Sequence, residues 1–120
     1  MRTIYDDPEM IDGYRVVQEY TDILDALDNK ETVLHWEYGN SMYPMLKSGE
    51  YCLIKPIDRK IKVGDAVFCY VQNYLMVHMV LEINIVHDKT LYKIGTTDGF
   101  EYGWTPYVFG IAESTKIIHN

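Results

Sequence analysis

The sequence predicts an α+β chain that is mainly β: an N-terminal helical segment, then a small coiled antiparallel sheet or barrel. Three observations carry this. Before Glu31, apolar residues recur at helical spacing. After it, the chain breaks into short runs rich in β-branched and aromatic residues, separated by turn residues. The chain also holds eleven tyrosines, whose rings suit half-buried strands.

The helical segment occupies residues 1–32. Met10, Ile11, Tyr14, Val17, Ile23, Leu24 and Leu27 fall mostly three, four or seven apart. Asp7 before Pro8 reads as N-cap and first helical position, and Asn29-Lys30 as the stop. Gly13 and Thr21 weaken the pattern, so two short helices are an alternative. The strands follow within residues 33–120, one compact unit. Glu31–Tyr38 opens them, and Tyr51–Lys55 is a short strand closed by Pro56. Asp65–Gln72 and Leu75–Val86 form a hairpin around Asn73-Tyr74. His87-Asp88-Lys89 turns the chain into Leu91–Ile94. Gly95–Gly103 reads as a loop, and Val108–Ala112 as the last strand.

Composition narrows the function. With 120 residues and 48% apolar content, the chain suffices for a single core without disulfides. A net charge of −7 argues against a nucleic-acid partner, which needs a basic face. Two cysteines, Cys52 and Cys69, make no disulfide framework and pair only if their strands are neighbours. The N-terminus lacks a signal-peptide core, and no apolar run approaches the roughly 18 residues of a membrane span. The expectation is a soluble, cytoplasmic chain. CxxC, HExxH, GxGxxG and Walker patterns are all absent, so no metal or cofactor is expected.

The chemistry centres on Gly39-Asn40-Ser41-Met42-Tyr43-Pro44. Glycine and asparagine favour a tight turn and Pro44 restricts the chain soon after. The segment is either a plain turn or one presenting a hydroxyl nucleophile, with the Ser41 N–H as oxyanion donor. Gly39, Asn40, Met42 and Pro44 are then the candidate substrate-binding residues. A serine needs a base. His119 is nearly terminal, His87 sits in a turn, and His35 lies on the strand before Ser41. His78 is mid-strand among valines and methionines, where an imidazole is costly to bury. It is either a satisfied structural histidine or the base. Alternation puts Met76, His78, Val80 and Glu82 on one face, and Val77, Met79, Leu81 and Ile83 on the other. Asp98 is either a turn residue or the acid that orients His78, with Glu101 as alternate.

The order of the pieces adds more. Gly39-Asn40-Ser41-Met42-Tyr43-Pro44 precedes Lys62-Val63-Gly64-Asp65-Ala66-Val67, then Val77-His78-Met79-Val80-Leu81-Glu82-Ile83, and finally Val108-Phe109-Gly110-Ile111-Ala112. Over residues 33–112 this resembles the superfamily of LexA-type self-cleaving repressors and signal peptidases. The histidine strand is similar to the Ser-His branch of archaeal and endoplasmic-reticulum signal peptidases, with Met79 at that branch's usual arginine. The resemblance implies a coiled β-sheet fold, a Ser41 nucleophile and a His78 base. That branch's aspartate position is Thr96 here, so Asp98 is a shifted match. The implied activity is a soluble serine endopeptidase cleaving an extended leader or cargo peptide. No membrane anchor or helix-turn-helix is expected. The alternative is a non-catalytic regulator that binds a peptide or protein on the same fold.

Overall fold

We describe a computed structural model of the chain over residues 9–39 and 41–119. Among the described residues, nine strands and one helix run in the order β1 (Met10–Ile11), β2 (Tyr14–Val16), α1 (Tyr20–Asp28), β3 (Val33–Trp36), β4 (Glu50–Pro56), β5 (Ala66–Val71), β6 (Tyr74–Val86), β7 (Lys89–Gly95), β8 (Glu101–Thr105) and β9 (Val108–Ile118). They form a single open sheet ordered β1-β2-β3-β4-β9-β5-β6-β7-β8. The mainly β expectation holds, with two corrections. The sheet is mixed, because β2 and β3 pair in parallel. The segment before Glu31 is helical only from Tyr20. Ahead of the helix, Asp12 and Gly13 both take positive φ (51° and 86°) and turn β1 into β2. That is the geometry of a two-residue hairpin loop. The expected cap at Asp7-Pro8 lies outside the described residues.

The helix exists because one face is apolar and has somewhere to go. Ile23, Ala26 and Leu27 are buried in a cluster with Val33, Ile54 and Phe68. Asn29 caps its C-terminus, and Lys30 follows with φ 60°. The helix reaches the sheet closely at Gly110 of β9, where a Cβ would lie 2.8 Å from the Lys55 carbonyl and 3.0 Å from Leu27 Cδ1.

The opposite face of β5 carries a second core. Val67, Cys69 and Val71 alternate with Ala66 and Phe68, and pack with Ile61, Val80 and Ile94. The end of β8 curls over this core. The Thr105 hydroxyl donates to the Tyr70 carbonyl at 2.6 Å, and the Tyr70 N–H donates to the Tyr107 carbonyl at 2.9 Å. The expected loop over Gly95–Gly103 is thus a shorter turn that leads into a strand.

Three further expectations are corrected by pairing. The β5–β6 turn falls on Gln72-Asn73, both at positive φ (50° and 68°), one residue earlier than read. In β6 the register shifts between Val80 and Glu82, so Ile83 joins Val80 and Met76 on one face. A bulge of this kind reverses the alternation beyond it. His119 is tied down, its N–H donating to the Gly49 carbonyl at 2.7 Å and its ring stacked on Trp36 at 3.8 Å. Cys52 and Cys69 are buried free thiols on strands separated by β9.

Candidate active site

Ser41 sits on an exposed turn between β3 and β4. Met42 anchors that turn from below, buried in the helix-side core, and the Leu46 N–H closes it by donating to the Met42 carbonyl at 3.0 Å. Gly39 enters it at φ 123° and donates its N–H to the Ser48 hydroxyl at 3.0 Å. Pro44 is exposed on the same turn. Asn40 lies outside the described residues.

The turn is latched from the far end of the chain. The Thr97 N–H donates to the Ser41 carbonyl at 3.0 Å, and the hydroxyl proton is shared between the Tyr43 carbonyl at 2.7 Å and the Ser41 carbonyl at 3.2 Å. Thr97 belongs to the tight turn after β7. There, the Thr96 N–H donates to the Phe100 carbonyl at 2.9 Å, and Thr96 Oγ1 accepts the Phe100 N–H at 3.1 Å. Gly95 makes the fold-back possible, since a Cβ there would lie 2.2 Å from the Phe100 carbonyl oxygen. Ser41, Thr96, Asp98, Phe100 and Tyr102 line an open cleft of about 410 Å³.

His78 lies on β6 opposite Val67 of β5. Its ring packs against Tyr102, centroids 4.8 Å apart. Both ring nitrogens are buried with no hydrogen-bond partner. Burial pushes the imidazole below its ordinary value, so it is neutral at neutral pH with an unoccupied lone pair. Few native side chains carry such an orphaned buried group. The Gly64-Asp65 turn fixes this stretch of β6. Gly64 N–H donates to the Val80 carbonyl and Val80 N–H to the Asp65 carbonyl, both at 2.9 Å. Asp65 itself holds Arg59 and the Lys62 N–H. Its part-burial works upward, but those partners keep the carboxyl below its ordinary range.

Ser41 and Asp98 therefore share the cleft, while His78 stands behind its Tyr102 wall. Asp98 is occupied elsewhere. It accepts the Thr96 hydroxyl, and that bond, with the Phe100 and Asp98 N–H groups, holds its carboxyl low. With both His78 nitrogens unpartnered, Asp98 does not orient the ring here. Glu101, the alternate acid, is paired with Lys93. The sequence reading did not reach Thr97, Tyr102 or the second cavity beside Ser41. For Thr97 the signal was the polar Thr96-Thr97-Asp98-Gly99 run, which has the composition of a side-chain-capped turn.

That second cavity involves His35, itself almost fully buried. Its Nδ1–H donates to the Val17 carbonyl at 2.9 Å, which leaves Nε2 facing Glu37 Oε1 at 3.0 Å. Burial pushes His35 down and Glu37 up. Among the described residues no cluster of His, Cys, Asp or Glu is arranged as a metal site, and no helix is long and apolar enough to cross a membrane.

Compared with known proteins, the chain matches no family model, no curated protein and no solved structure.

Proposed function

We propose that the chain is a serine peptidase of the LexA and signal-peptidase kind, with Ser41 as nucleophile and His78 as general base. One observation carries this reading. An exposed serine on a latched turn borders a cleft whose Tyr102 wall packs against a neutral, unpartnered imidazole. Neither His78 nitrogen is open to the cleft at rest, so the Tyr102 ring moves aside first. His78 then takes the hydroxyl proton as Ser41 Oγ attacks a peptide carbonyl, and the tetrahedral oxyanion forms beside the Ser41 N–H. The imidazolium returns that proton to the leaving amine. Water, deprotonated by the same ring, then hydrolyses the ester. A dyad of this kind needs no carboxylate on the imidazole, in keeping with Asp98 being engaged by Thr96.

A second reading is favoured by the packing of His78 behind Tyr102. On it, the same cleft binds an extended peptide or protein segment without cleaving it. A peptide library incubated with wild type and with Ser41→Ala separates the two. New cleavage products with wild type alone support the peptidase. Peptides retained intact by both chains support the binder, and equal cleavage by both overturns the Ser41 assignment.

A further inference from the structure

The cavity on the His35 side of Ser41 has no role in that mechanism. It measures about 40 Å³, and its lining includes His35, Glu37, Met42, Glu50 and Cys52 beside Ser41. A space of this size takes a group of about two or three heavy atoms. Most of its polar groups are already engaged. His35 spends Nδ1–H on Val17 and turns Nε2 to Glu37. Glu50 accepts the Ser114 hydroxyl. Cys52 is no nucleophile, because burial, with Glu37 next, pushes its thiol up to about 12. That leaves Glu37: its Oε1 serves the lone pair of His35 Nε2 as the proton donor, and the other carboxyl oxygen keeps its acceptor sites. Its side chain is 40% exposed, so it is reachable. Lys47 is also on the lining, opposite in charge to Glu50.

We propose that this cavity receives the substrate side chain next to the scissile bond, and that Glu37, braced by His35, selects a small hydroxyl side chain (serine or threonine) over alanine. The inference rests on Ser41 being the nucleophile. An alanine side chain enters the space but leaves Glu37 facing it without a donor. A site built around a hydrogen bond rejects the analogue that lacks it. Glycine leaves the space empty, and lysine is too long.

The test uses binding, so it does not depend on turnover. Acetyl-Ala-Ala-X-Ala-amide peptides, with X serine, threonine, alanine, glycine or lysine, are titrated into the Ser41→Ala chain. Binding is read from the methyl NMR signals of Met42 and Val77, both on the cavity wall. Serine and threonine peptides should bind about threefold to tenfold tighter than alanine, the worth of one net hydrogen bond. In a chain that also carries Glu37→Ala the ratio should fall to about one, while Glu37→Gln should keep part of it. Alanine binding as tightly as serine, a ratio untouched by Glu37→Ala, or no methyl shift with any peptide overturns the inference. Serine-directed labelling of the wild type reports separately on the peptidase reading, so either can fail alone.

Discussion

The Thr97 N–H donates to the carbonyl of Ser41 at 3.0 Å, and its one hydroxyl proton is shared between the Tyr43 carbonyl at 2.7 Å and the Ser41 carbonyl at 3.2 Å. Thr97 and Ser41 are 56 apart in sequence. This contact ties the candidate nucleophile to the β7–β8 turn that forms the far wall of the cleft. Thr97→Val keeps the N–H and the shape but removes the hydroxyl. It should cost about 1 kcal/mol in urea unfolding. Its larger effect should be on reactivity, slowing serine-directed labelling about tenfold, because small misplacements are costly at a reacting centre. A labelling rate equal to wild type would separate the latch from the chemistry.

His78 should oppose stability. Its two buried nitrogens lack partners, and each such group costs about 1–3 kcal/mol. His78→Leu, close in volume, should therefore raise unfolding stability by about 2 kcal/mol while abolishing labelling. A loss of stability would mean that the ring is held by contacts its packing does not reveal.

Both His78 and His35 are pushed down by burial. Unfolded, each takes a proton near the ordinary imidazole value of about 6.5. The unfolded chain thus binds more protons below that pH, and stability rises with pH there. Their contribution is fully present above about pH 6.5 and is lost as the pH falls through the folded values. Urea midpoints should drop between about pH 7 and pH 5, and drop less in His78→Leu. The acid limb of labelling should lie below about 6.5, where the ring stays neutral.

Asp98 supports the β7–β8 turn through Thr96. Asp98→Asn should therefore change labelling by less than about tenfold, whereas loss of a true triad acid costs about 10⁴. A loss of that larger size would restore Asp98 to the catalytic set.

Gly95 and Phe100 define the fold-back. Gly95→Ala sets a Cβ 2.2 Å from the Phe100 carbonyl oxygen, and overpacking of this kind costs about 1–3 kcal/mol. The loss should appear in urea unfolding together with slower labelling, since the same turn carries Thr97.

How much of this was legible varies along the chain. The strands from β4 to β7 follow their apolar runs, because each buries residues between two neighbours. The segment before Tyr20 misled. Ile11, Tyr14 and Val17 fit a helical stripe, yet Ile11-Asp12-Gly13-Tyr14 holds an Asp-Gly pair, a strong two-residue hairpin signal, and that local signal prevailed. The bulge at Leu81 was invisible to alternation, since it depends on how β7 pairs across from it. At the site, Ser41 and His78 stood out by residue type. Thr97 and Tyr102 did not, because their roles come from contacts between segments far apart in sequence.

The most direct test of the Ser41–His78 reading is intact-mass analysis after treatment with a fluorophosphonate, with the adduct located by peptide mapping. The account predicts one adduct, on Ser41, absent from Ser41→Ala and formed at least about 100-fold more slowly in His78→Ala, the lower range for a lost general base. Equal labelling of wild type and Ser41→Ala, or a rate indifferent to His78→Ala, would contradict it.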